Sequence, residues 1–258
     1  MGKNIDSLGD RMKSYEAVSD GKLVNRVPVI IRIDGKTFHT LTKGINKPYD
    51  QAFSNSMGFT TKRLVQSIQN CVFGYSQSDE ISLLVVEPTE YSDSWFGNRV
   101  QKIVSVSASM ATAFFREEIR ARAVAYDEYA KYRLLVEQSF FDARAFNVPV
   151  HEVANYFIWR QQDAYRNAVE GAAHANFPQK ELNGLNIGRL IQKLKDEKNI
   201  EFETDFPDEY KMGKMVWRRN KLDGSKEEIK PAFNFVTYRM AIQDAVPKYG
   251  DEAELLNG

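Results

Sequence analysis

The sequence predicts an α+β fold, a βαββαβ antiparallel sheet with helices packed on one face. Three observations carry that expectation. The run Val-Pro-Val-Ile-Ile-Arg-Ile-Asp-Gly at 27–35 is β-branched, almost wholly apolar, and stopped by Asp34 and Gly35. Two further apolar runs, 71–75 and 81–86, flank the polar break Ser-Gln-Ser-Asp-Glu, the pattern of a β-hairpin. Segments with helical periodicity lie on either side of that hairpin.

The first strand is continuously apolar, which marks it as central and buried on both faces. After a polar loop over 43–49, Asp50 is placed to cap a helix running to about Gln69, with Phe53, Met57, Leu64 and Ile68 on one face. A second helix is expected over 95–125, with Val100, Ile103, Val104, Met110 and Phe114 apolar. Residues 134–149 read as extended around Phe-Phe-Asp-Ala-Arg, and 150–175 as a third helix. Farther on, 185–198 reads as a short helix and 206–235 as a polar, charge-rich stretch with little periodicity. The expected organisation is an N-terminal arm (1–26), a sheet domain (27–176) and a mixed C-terminal appendage (177–258).

The chain has 258 residues, 43% hydrophobic and 27% charged, which excludes wholesale disorder and collagen-like or coiled-coil architectures. Its single cysteine, Cys71, cannot form an internal disulfide and fits a reducing compartment. The first residues carry no apolar signal-peptide core. The longest uncharged apolar-leaning stretch, 103–115, is 13 residues and too short to span a bilayer. A cytoplasmic protein without a membrane partner is expected. With 35 basic and 35 acidic residues the net charge is zero, so a nucleic-acid partner must be met by a local patch. The segment 211–230 is one candidate: Lys211, Lys214, Arg218, Arg219, Lys221, Lys226 and Lys230 face Asp223, Glu227 and Glu228, a local charge of +4. A solvated turn of mixed charge explains it equally well.

The strongest chemical constellation is acidic. Asp34 closes the first strand, and Asp79 and Glu80 occupy the hairpin turn. Neighbouring strands would bring all three carboxylates to one edge of an apolar sheet, where they repel unless a cation sits between them. Hard oxygen ligands select Mg²⁺, which accepts phosphate oxygens as further ligands. Two such ions ~3.5–4 Å apart stabilise the entering and leaving oxygens of a phosphoryl displacement. Each piece taken alone is an ordinary turn; their order on adjacent elements favours the metal site.

Gly35-Lys36-Thr37 is not a P-loop, since the glycine required five residues earlier is Ile30. A short turn after Asp34 could still aim backbone N–H groups at a triphosphate, with Lys36 and His39 nearby. The scattered His39, His151 and His174 with no Cys-x-x-Cys pair exclude a zinc site. Cys71 reads as core. The Trp159-Arg160-Gln161-Gln162-Asp163 run on the third helix is either a solvated face or an RNA contact through Arg160 and Arg166.

Five spaced motifs resemble the tRNA-histidine guanylyltransferase superfamily. They are Arg-Ile-Asp-Gly-Lys-Thr-Phe-His at 32–39, Lys47-Pro48 with Asp50, Gly-Tyr-Ser-Gln-Ser-Asp-Glu at 74–80, Phe-Asp-Ala-Arg at 141–144, and Trp159-Arg160-Gln161 with Asp163. The resemblance spans about 27–167 in unbroken order and thins to fragments such as Met212-Gly213-Lys214-Met215. It implies a palm domain like that of conventional polymerases and 3′–5′ nucleotide addition to a tRNA 5′ end. It also implies that Asp34, Asp79 and the Gly35 carbonyl bind two Mg²⁺, with Glu80 in support. Nucleotide contacts are implied for Asp34, Gly35, Lys36, Thr37, Phe38, His39, Ser78 and Asp79. Lys47, Asp50 and Lys102 fall on positions handling the triphosphate or the activated end. ATP and GTP or other triphosphates are the implied substrates, tRNA the partner, and a homo-tetramer the implied assembly.

One departure bears on substrate. Where the tRNA-histidine enzymes carry His-Ile-Asn-Asn, this chain has Tyr165-Arg166-Asn167-Ala168. The sequence is therefore more similar to the guanylyltransferase-like branch, which repairs 5′-truncated tRNAs. The alternatives are a palm-type nucleotidyl cyclase and a non-catalytic RNA-binding module with a decayed palm. A cyclic product formed without RNA would favour the first, and tRNA retention without Mg²⁺ or incorporation the second.

Overall fold

The computed structural model describes residues 7–87, 92–219 and 226–236. Its centre is an antiparallel sheet in the order β4-β1-β3-β2-β5-β6. The strands are β1 (Val29–Gly35), β2 (Cys71–Gln77), β3 (Glu80–Val85), β4 (Phe141–Asn147), β5 (Lys214–Arg219) and β6 (Lys226–Pro231). Before and between the first four strands run α1 (Leu8–Ala17), α2 (Phe38–Leu41), α3 (Gln51–Ser67), α4 (Val100–Ala125) and α5 (Tyr129–Gln138). After β4 come α6 (Val153–Asn176), α7 (Gln179–Leu182), α8 (Ile187–Lys198), α9 (Phe202–Asp205) and α10 (Asp208–Met212). The mixed α+β architecture and the order of the first strands match the sequence expectation.

Alternation along β1 divides the core. Val29, Ile31 and Ile33 pack with Leu83 and Val85 against α3, α4 and α5, where Leu64, Phe115 and Leu135 are fully buried. Burial of each such side chain contributes roughly 1.5–3 kcal/mol. Ile30 points to the other face, joining Phe73 and Leu84 beneath Phe157 of α6. Two of the three expected helices, α3 and α4, thus lie together on one face with α5, whereas the third, α6, closes part of the other. The C-terminal half of α6 continues past the sheet and packs with α7 to α10.

Three segments differ from the sequence reading. The second helix begins at Val100 rather than at 95, because Phe96, Gly97 and Asn98 have φ of 53°, 59° and 58°, which no helix accommodates. Residues 134–138, read as extended, belong to α5; Tyr132, Leu135 and Val136 recur at helical spacing and are buried. Residues 206–235 contain α10 and the two strands β5 and β6, which extend the sheet beyond β2. In the basic run 211–230, Lys221 and Asp223 lie outside the described residues. Cys71 is buried in the core, as expected. Among the described residues no helix is long and apolar enough to cross a membrane.

Candidate active site

The site forms where β1 ends beside the β2–β3 turn. In register, Asp34 lies opposite Glu80 on β3 and opposite Asp142 on β4. The Gly35 N–H donates to the Asp79 carbonyl at 3.1 Å, tying the end of β1 to the turn. Gly35 is required by a close approach: a Cβ there would stand 2.5 Å from the Phe38 ring. Ser78 turns the hairpin with φ of 51°, and its hydroxyl donates to Asp79 Oδ1 at 3.1 Å. Burial pushes the Asp79 carboxyl up to about 6, and the charges of Asp34 and Glu80 push the same way. Two predicted metal ligands, Asp34 and Asp79, are therefore close enough to repel.

Glu80 does not complete a third ligand. It accepts from Arg160 Nε at 2.7 Å and Nη2 at 2.9 Å, and from Arg32 Nη2 at 2.9 Å. Its charge is spent on two guanidinium groups, so of the three carboxylates expected at this edge Asp34 and Asp79 are the two left to face a cation. Among the described residues no group of three or more His, Cys, Asp or Glu side chains is arranged to hold a metal. The pair that remains suits a hard cation that fills its shell with water and phosphate oxygens.

The same bridge corrects the predicted RNA contact through Arg160. That side chain is buried, bonded to Glu80 and to Asp163 Oδ2 at 3.0 Å, with its guanidinium over the Trp159 ring. Arg166 is exposed and pairs with Asp163 Oδ1 at 2.7 Å.

The predicted nucleotide residues separate into groups. Lys36 and His39 are exposed beside the end of β1, and Thr37 adopts φ of 57°. The Lys36 N–H is already used, donating to the Phe140 carbonyl at 2.8 Å. Phe38 is buried against Phe53, Phe115 and Phe141, so its ring belongs to the core and only its backbone can meet a nucleotide. Lys47, Asp50 and Ser78 line a cleft of about 230 Å³. The Asp50 carboxylate is fully engaged: it caps α3 through the Phe53 N–H at 2.9 Å and accepts from Asn46 N at 3.1 Å and Tyr132 Oη at 3.1 Å. It is a positioning residue for the loop that carries Lys47, not a free ligand.

Lys102 is not brought to the site within one chain. Thr112 Oγ1 accepts from Phe141 N at 3.2 Å, beside Gly35, whereas Lys102 lies ten residues, roughly 15 Å, back along α4. There the chain meets the N-terminal segment, with Val100 N donating to Gly21 O.

Sequence reasoning gave no place in this cleft to Tyr49, Asn167, Glu209 and Lys214, which share it with Lys47. Glu209 accepts from the Tyr49 hydroxyl and from Gln51 Nε2, and lies 3.4 Å from Lys214 Nζ. The Met212-Gly213-Lys214-Met215 fragment was the available signal. Gly213 has φ of 82° and a Cβ there would stand 2.7 Å from the Ser76 carbonyl, so β5 and β2 approach closely at this point.

An antiparallel sheet with paired carboxylates at adjacent strand ends, beside a cleft lined by polar and cationic groups, is an arrangement suited to nucleotidyl transfer. The sequence profile described as "Thg1: tRNAHis guanylyltransferase" matches residues 9–149, and the chain belongs to that family. A bacterial tRNA(His) guanylyltransferase (Thg1)-like protein solved in complex with ATP is 42% identical, with a TM-score of 0.83, over 93% of this chain and 99% of that one. A bacterial Thg1-like protein in complex with GTP is 38% identical with a TM-score of 0.76, over the same shares. The tRNA(His) guanylyltransferase of Schizosaccharomyces pombe is 27% identical over 82% of this chain and 80% of its own length.

Proposed function

We propose that the protein is a Mg²⁺-dependent 3′–5′ nucleotidyltransferase that adds nucleotides to the 5′ end of tRNA. The observation that carries this reading is the half-buried Asp79 carboxylate beside Asp34, at the turn that borders the cleft. In the first step an oxygen of the tRNA 5′-monophosphate attacks the α-phosphorus of ATP, pyrophosphate leaves, and a 5′-adenylyl end forms. In the second, the 3′-hydroxyl of an incoming nucleotide attacks the tRNA 5′-phosphorus, AMP leaves with the bonding pair, and the hydroxyl proton goes to solvent. Mg²⁺ held by Asp34, Asp79 and the Gly35 carbonyl would supply Lewis-acid stabilisation of the phosphoryl oxygens. Lys36 and Lys47 offset triphosphate charge from the two sides of the turn. Asp50 fixes the loop presenting Lys47, and the Arg32–Glu80–Arg160 bridge holds the hairpin beneath Asp79.

Tyr165 favours repair of 5′-truncated tRNA over selection of tRNA-histidine. It stands where the tRNA-histidine enzymes carry a histidine, packs against Phe202 and bonds Glu203, an intramolecular role. Assembly as a homo-tetramer is part of the proposal, since Lys102 can serve a site only on another copy. The single buried cysteine supports a cytoplasmic setting. The test is an extension assay on intact and 5′-shortened tRNAs with each labelled triphosphate. Incorporation that requires ATP, Mg²⁺ and a shortened tRNA supports the reading; a cyclic nucleotide formed without RNA, or no incorporation at all, overturns it.

A further inference from the structure

The two edges of the sheet are finished differently. β6 carries Lys226, Glu227, Glu228 and Lys230 and ends on Pro231, a charged, proline-bearing edge that discourages further pairing. β4 has no such protection. The Lys36 N–H donates to the Phe140 carbonyl and the Val148 N–H to the Pro28 carbonyl. Even-numbered residues therefore bond β1, and the odd-numbered residues of β4 face away from it. Of those, Phe141 donates its N–H to Thr112 Oγ1, and Asn147 holds Val24 through its side chain. The N–H and C=O groups of Ala143 and Ala145 have no partner among the described residues. Beside them the Asp142 and Arg144 side chains are 62% and 59% exposed and 4.0 Å apart.

We propose that β4 pairs antiparallel with β4 of a second copy of this chain, across a two-fold axis at Ala143, joining two sheets into one. The charges of the edge select the occupant. In this register Ala143 exchanges two hydrogen bonds with the partner's Ala143, and the Ala145 N–H meets the partner's Phe141 carbonyl. Asp142 then lies opposite the partner's Arg144, and the axis repeats that ion pair. An axis at Arg144 would oppose two arginines, and one at Ala145 would oppose Arg144 with Phe146, so the Ala143 register alone matches the charges. Beneath the edge, α4 would meet the partner's α4 through Ser105, Ala108, Ser109 and Thr112, side chains small enough for close helix packing.

The same axis gives Lys102 a site. The start of α4 lies at the Asn147 end of β4, since Val100 bonds Gly21 and Val24 bonds Asn147. Thr112 is level with Phe141, two residues or roughly 7 Å along β4 from the axis. Lys102, roughly 15 Å back along α4, therefore lies about 8 Å beyond the axis. The two-fold carries the partner's Lys102 about 8 Å to the other side, level with Phe141 and the end of β1. The use of Lys102 there rests on the nucleotidyl-transfer reading above, whereas the pairing of the edges does not.

The experiment is analytical ultracentrifugation of the full chain as wild type, as Asp142→Arg, as Arg144→Asp, and as an equal mixture of the two variants. Either substitution alone sets like charges opposite each other at both pairs and weakens this interface roughly 30-fold or more, lowering the assembled mass. In the mixture the two variants carry opposite charges at every cross-strand contact, and the wild-type mass returns. A monomeric wild type, single variants that keep the wild-type mass, or a mixture that does not regain it overturns the inference. Should the variants not fold, Ala143→Cys tests the register directly. Paired Cα atoms about 5.5 Å apart are within disulfide reach, so oxidation yields a covalent dimer, with Cys71 buried out of the way. Absence of that dimer overturns the inference. Recovery of the mass on mixing, with no nucleotide incorporation by the wild type, supports the interface and overturns the proposed function.

Discussion

Substituting Asp79 with asparagine should stabilise the metal-free protein while removing its activity. Burial and the neighbouring Asp34 charge raise the Asp79 carboxyl from its ordinary 3.8 to about 6. At 1.36 kcal/mol per tenfold change in proton affinity, ionising this group in the folded state costs at most about 3 kcal/mol. The carboxyl retains some solvent contact, so about 2 kcal/mol is the working figure. The folded value lies above the unfolded one. The stability linked to this group is therefore fully present below about pH 4, is lost as the pH rises through about 6, and stays lost above it. Asparagine keeps the acceptor for Ser78 and carries no charge. Thermal unfolding with a chelator near pH 7.5 should show Asp79→Asn roughly 4–8 °C above the wild type, a gap that closes towards pH 4. Saturating Mg²⁺ with a triphosphate should raise the wild type and leave the variant unmoved. A variant that melts at or below the wild type in chelator would refute the claim that Asp79 is held as a poorly solvated charge beside Asp34.

Other expectations follow from the same geometry. Arg160→Met leaves Glu80 to Arg32 and Asp163 to Arg166 and should cost about 1.5–3 kcal/mol in a denaturant titration, whereas Arg166→Ala should stay within about 0.5 kcal/mol. Asp50→Ala loses a helix cap and leaves the Tyr132 hydroxyl unpaired, costing about 2 kcal/mol and raising the KM for triphosphate more than it lowers kcat. Gly35→Ala forces the added methyl into the Phe38 ring and should abolish incorporation, with a melting temperature lower by several degrees, about 1–3 kcal/mol. Mixing inactive Lys102→Ala and Asp79→Ala subunits should restore part of the wild-type incorporation; no recovery in mixed oligomers would place Lys102 outside the reaction.

The elements legible in the sequence were those whose pattern and burial agree. Residues 29–33 alternate into two cores and read as a strand; the Asp50 cap and the 71–86 hairpin obey local rules. β5 was not legible, because Lys-Met-Val-Trp-Arg-Arg gains its strand character from pairing with β2, a contact made across more than a hundred residues of chain. The carboxylate pair was visible from strand ends alone. The withdrawal of Glu80 was not, since its two arginine partners come from β1 and α6. Lys102 looked equivalent to Lys36 and Lys47 in sequence, and only the length of α4 separates them.

A crystal soaked with Mn²⁺ and a non-hydrolysable triphosphate tests the central claim most directly. An anomalous peak within about 2.2 Å of carboxylate oxygens from both Asp34 and Asp79 is the expected result. Full triphosphate occupancy with no such peak, or a peak bound by Glu80 in place of either aspartate, would contradict it.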